Sequence, residues 1–228
     1  MVIDDNWHSS INIQLATMTA SPRRSPQDVR NDILVVAWDL FRQLGVHTTV
    51  ADVAERLGMS SANVYRFFPS KQALTDAVCA SQLVALTDAV RAVAARPGSA
   101  GERARAMILA LHAAMREQML HEARVHEIVN VALNERWPAI DAFMADCAEL
   151  LAAVIAEGQA RGEFATGDAR TLALHTLFAC MAVFHPALIA RRTKLDPSPE
   201  DAVDFVLRAL ANRDSKVQPA TPGGAFAR

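Results

Sequence analysis

No stretch of this chain alternates apolar and polar residues with a period of two. Apolar residues instead recur at i, i+3, i+4 and i+7 along most of its length. The first pattern belongs to half-buried strands and the second to amphipathic helices, so an all-α fold without a sheet is predicted. Composition agrees: alanine and leucine are abundant, and aromatic residues make up only 6%, a bias toward helix. Apolar residues are 51% of the 228, enough to build a substantial core and to exclude wholesale disorder.

Punctuation divides the pattern. Residues 1–26 lack periodicity and end in a basic, proline-rich run, and they read as a flexible N-terminal arm. A helix follows from about Gln27 to Leu44, with Ile33, Val36, Ala37, Leu40, Phe41 and Leu44 on one face and Gly45 ending it. Thr49 and Asp52 form a capping-box pair before a short helix carrying Val50, Val53, Ala54 and Leu57, which Gly58 closes. Ser60 caps a third helix over Ser61 to Phe67, stopped by Pro69, and Ser70 caps a fourth that breaks at Pro97-Gly98. Further helices are predicted at about 101–121, 123–136, 137–161, 168–191 and 199–211, the last two capped by Asp168 and Ser198. Residues 212–228 read as a flexible tail. The expected domains are thus 27–72, a three-helix module, and 73–211, a larger helical body.

Charge separates the two. Residues 21–72 hold seven bases and five acids, a net of +2, while the whole chain is −2. A mildly positive module on a mildly negative body suits a protein that holds few phosphates, not a general polyanion binder. Two short helices joined by a tight glycine turn, the second opening on small polar residues, describe a helix-turn-helix. Ser61, Ala62 and Asn63 would then lie on the first turn of the helix that enters the major groove. An ordinary helical hairpin would show the same spacing.

The run from Thr48 to Leu74, with Tyr65-Arg66-Phe67-Phe68-Pro69-Ser70-Lys71 at its heart, resembles the DNA-binding domain of the tetracycline-repressor (TetR) family nearly position for position. Ile33, Ala37, Leu40, Phe41 and Gly45 match that family's first helix, and Glu157 to Phe164 resembles a phrase common between its seventh and eighth helices. The resemblance implies double-stranded operator DNA as partner. Thr49 would bind phosphate, Tyr65 and Lys71 would clamp the backbone, and Ser60, Ser61, Ala62, Asn63 and Arg66 would complete the DNA face. A half-buried core position is the alternative for Tyr65. Ala51 and Phe67 depart from the family's usual polar residues, which leaves room for a helical adaptor with weakened DNA binding.

The resemblance also implies a small-molecule effector pocket in the body and a homodimer built on the last two helices. Met107, Leu111, Met115, Met119, Trp137, Phe143 and Met144 are candidate pocket residues, although plain core packing explains them as well. Leu177, Met181, Val203, Leu207 and Leu210 are candidate interface residues. The run Leu172 to Ala190 is apolar enough for a membrane, yet its His175, His185 and Pro186 favour a helix buried on two sides. With no apolar leader after Asp4 and Asp5, a cytoplasmic location is expected. Cys79, Cys147 and Cys180 are far apart and read as core residues, and the histidines show no metal-ligand spacing. No nucleophile–base pair or phosphate loop stands out, so no enzyme and no cofactor is expected.

Overall fold

The computed structural model describes residues 25–121 and 123–211, with the side chains of 118–126 excepted. The segment 1–24 of the expected arm and the expected tail over 212–228 lie outside the described residues. Eleven α-helices are described: α1 (Pro26–Leu44), α2 (Val50–Arg56), α3 (Ser61–Phe67), α4 (Lys71–Ala94), α5 (Ala100–His121), α6 (Ala123–Asn134), α7 (Pro138–Ala160), α8 (Ala169–Ala179), α9 (Met181–Phe184), α10 (Pro186–Ile189) and α11 (Pro199–Leu210). A single turn of 3₁₀ helix, Gly45–His47, follows α1. No strand occurs among the described residues, and the fold class is the all-α one expected.

Capping sets most boundaries. Ser25, placed in the arm from sequence, instead caps α1: its hydroxyl accepts from the Asp28 amide, and the Asp28 carboxylate accepts from the Ser25 amide. Ser99 and Glu102 do the same for α5. Both are S-x-x-[DE] signatures that the residues already carried. Thr49, Ser60, Ser70, Asp168 and Ser198 cap α2, α3, α4, α8 and α11 as predicted.

The single helix expected over 168–191 is in fact three. Cys180 has left helical geometry (φ −89, ψ 6), and His185 is extended (φ −70, ψ 124) ahead of Pro186. Proline removes one backbone donor and crowds the residue before it, which interior apolarity cannot offset. The run therefore contains no continuous span. The one described helix long and apolar enough to cross a bilayer is α4, and it is instead the strut joining two buried clusters.

The first cluster joins Ile33, Ala37, Phe41, Val53, Val64 and Leu74 to Ile128, Ala132 and Trp137 of the body. The second is the body core, from Leu86 and Val90 of α4 through Ile108, Leu151 and Ile155 to Leu177, Val203 and Leu210. The phrase Glu157 to Phe164 ties the body together. Glu157 accepts from the guanidinium of buried Arg103 at 2.6 Å, and Glu163 accepts from the first amides of α5 at 2.7 and 3.3 Å. Gly158 lies so close to its neighbours that a Cβ there would sit 2.3 Å from the Phe164 ring. Arg105 pairs with Asp204 at 2.6 Å and docks α11 onto α5.

Candidate nucleic-acid interface and interior cavity

The turn between α2 and α3 has the geometry its residues require. Gly58 sits at φ +64, and no atom lies within 4 Å of where a Cβ would stand, so the backbone angle, not crowding, selects glycine. Val53 and Val64 are fully buried between the two helices, and Ala54 is 2% exposed, which lets them cross closely. With Val64 inward, Ala62, Tyr65 and Arg66 face solvent on α3, while Ser61 and Asn63 are half-buried. Tyr65 is 46% exposed, so its phenol is on the surface and not in the core.

Hydrogen bonds give each remaining candidate a job. The Thr49 hydroxyl and amide both donate to Asp52 at 2.8 Å, so both Thr49 donors serve the cap of α2. Those two bonds, with the charge of Lys71 adding, hold the Asp52 carboxyl below its ordinary pKa. Ser60 accepts from the Asn63 amide at 3.3 Å. The Asn63 side chain donates to the Met59 sulfur at 3.6 Å and accepts from Arg66 at 3.3 Å, which pre-sets both groups on α3. Lys71 donates to the Val46 carbonyl at 2.9 Å and fixes the start of α4 to the turn after α1. Arg30, outside the residues singled out from sequence, stacks its guanidinium 4.9 Å over the Phe68 ring. Basic–aromatic pairs so far apart in sequence leave no short-range signal.

An interior cavity of ≈ 230 Å³ opens where the module meets the body. Of the candidate pocket residues, Met115, Phe143 and Met144 line it. Met107 and Leu111 do not: they are 2% exposed and packed in the body core. Trp137 is not in the wall either. It packs into the first cluster and lines a neighbouring cleft of ≈ 240 Å³ with Lys71 and Glu135. The Met119 side chain lies outside the described residues. Trp38 and Phe41 of α1 do line the cavity, which sequence reasoning missed because the packing of α1 against α6 is long-range.

The expected interface residues lie mostly inside their own chain. Leu177, Val203 and Leu210 are 2%, 0% and 6% exposed within their own chain, and Met181 lines the cavity. A helix amphipathic toward its own core spends its most apolar stripe there first. Leu207 is half-buried. The large apolar side chains left outside on these helices are Phe178, 66% exposed, and Phe205, 71% exposed.

Comparison with known proteins bears on the whole arrangement. Residues 33–78 match the family model for bacterial regulatory proteins of the tetR family, and residues 100–206 match that for the tetracyclin repressor-like C-terminal domain. No curated protein matches the chain. Among solved structures, a TetR/AcrR-family transcriptional regulator from Thermobifida fusca is similar at 25% identity and a TM-score of 0.58, covering 82% of this chain and 98% of that one. FadR from Thermus thermophilus, a TetR-family transcriptional repressor in complex with lauroyl-CoA, is similar at 16% identity and TM-score 0.56, over 86% of this chain and 100% of its own. RolR in complex with resorcinol is similar at 16% identity and TM-score 0.59, over 86% and 96%. Two family models that between them take in both the turn-linked module and the helical body make this chain a member of the TetR family of transcriptional regulators, with the DNA-binding module at its N-terminal end.

Proposed function

We propose that the chain is a ligand-responsive repressor that binds a pseudo-palindromic operator as a homodimer in the cytoplasm. The observation that carries this reading is the cavity's position: its wall takes Trp38 and Phe41 from α1 of the DNA-binding module and Phe143, Met144 and Phe184 from the body. A ligand seated there touches both domains at once and can favour one relative placement over another by its differential contacts. Ligand-bound relatives such as FadR and RolR lend support by analogy of fold.

On the DNA side, Ala62, Tyr65 and Arg66 with Lys71 supply the exposed face, Ser61 and Asn63 flank it, and Ser60 and Thr49 hold the helix starts. One short recognition helix reads too few base pairs to select a site in a genome, so two are needed. Phe178 and Phe205, exposed on two helices that pack against each other, offer the apolar surface for pairing. Footprinting on the DNA upstream of the chain's own gene tests the proposal. Two protected half-sites about one helical turn or a little more apart are expected; a single protected half-site, or none, would refute it.

A further inference from the structure

Building on the reading of the cavity as the effector site, we propose that its ligand is a small uncharged molecule, apolar over most of its surface, with one hydrogen-bonding group received by His185. No aspartate, glutamate, lysine or arginine is among the described residues of the wall. An ion placed against these residues loses its hydration and gains no counter-charge from any of them, which no amount of apolar contact restores. Four rings, Trp38, Phe41, Phe143 and Phe184, contribute flat apolar surface. A cavity of about 150 Å³ takes benzene, so ≈ 230 Å³ suits a molecule of up to two fused rings.

The polar groups of the wall narrow the chemistry further. The Thr75 hydroxyl donates to the Lys71 carbonyl at 2.7 Å, and one N–H of the Gln82 amide donates to Ser81 at 3.3 Å. Burial pushes the Cys79 thiol up to about 11, so at neutral pH it is a protonated thiol and a poor trap for an electrophile. His185 differs from these. Its Nδ1 is buried without a hydrogen-bond partner, and burial lowers the imidazole below its ordinary pKa of 6.5, keeping it neutral. A buried ring nitrogen left unmet is costly, and a turn of the ring toward a ligand hydroxyl or carbonyl relieves it.

Calorimetry of the full-length protein with 2-naphthol, naphthalene, 2-naphthoate and 2-naphthylmethylammonium tests this. 2-Naphthol is expected to bind tightest, naphthalene about tenfold more weakly for want of the hydrogen bond, and both ions at least about 100-fold more weakly. His185→Phe should bring 2-naphthol down to naphthalene and leave naphthalene unchanged. Leu133→Trp, which fills the cavity, should abolish binding with helicity retained; Met144→Trp serves if that variant does not fold. Tighter binding of either ion, equal binding of 2-naphthol and naphthalene, no binding by any of the four, or 2-naphthol binding that survives both filled cavities would overturn the inference. Operator titrations in parallel separate this from the effector reading. If 2-naphthol binds through His185 without changing operator affinity, the ligand class stands and the effector role falls. If an ion binding in the cavity releases DNA, the effector role stands and the ligand class falls.

Discussion

Lys71 donates one N–H to the Val46 carbonyl and, like Arg66, stands exposed. Its replacement should therefore weaken binding to every DNA sequence about equally. On the proposed role of Lys71 as a phosphate clamp, Lys71→Ala is expected to lower the slope of log K against log salt by roughly one. Salt titrations on cognate and random DNA check this, and a loss confined to the cognate site would reassign Lys71 to base reading. At this scale the residue types were legible before the fold, since capping partners lie three residues apart and need nothing distant. The occupation of Thr49 by Asp52 was half-legible: spacing identified the pair, but only the bond geometry shows both Thr49 donors spent.

Among the helices, α8 and α11 show how an apolar stripe is divided between core and surface. Leu177→Asp buries a charge inside the chain's own core and should cost folding itself, with loss of helicity. Phe178→Glu with Phe205→Glu should leave the monomer folded and abolish pairing, and operator binding with it. Sedimentation and circular dichroism separate the two, and a double variant that remains dimeric would place the interface elsewhere. The Glu157 to Phe164 phrase makes a second element-scale prediction. The Arg103 hydrogen bond, then the Arg103 charge, hold the Glu157 carboxyl below its ordinary 4.5. A carboxyl with a depressed folded pKa stabilises above its unfolded value, and that stability disappears as pH falls through the folded one. Melting temperature should thus drop on acidification below about pH 4.5. Glu157→Gln should melt lower at neutral pH, because Arg103 is left buried with less compensation, and should show a shallower acid slope. An unchanged slope would show the pair to be idle.

At the scale of the whole molecule, the DNA-binding module does not close its own core. Ile128, Ala132 and Trp137 come from beyond the Pro97-Gly98 break, yet they sit among Ile33, Ala37 and Phe41. A fragment of residues 1–96 should therefore unfold at a markedly lower temperature than the same helices in the full chain, since several apolar side chains lose their cover. Hydrogen exchange on α1 and α3 measures it; equal protection in fragment and full chain would contradict the shared core. Sequence by itself determined the helical class, the caps, the breaks at Gly58 and Pro97-Gly98, and the family, because all of these are written in spacings shorter than a helix. Whether an apolar residue faced core, cavity or partner was decided only by tertiary structure. Leu177 and Phe178 are neighbours of equal greasiness, and nothing within the helix distinguishes them; the rotation of α8 against α7 buried the first and left the second outside. The cavity arose in the same way, with wall residues drawn from α1, α4, α6 and α7, and its His185, whose Nδ1 lacks a partner, stands where Pro186 ends the helix before it.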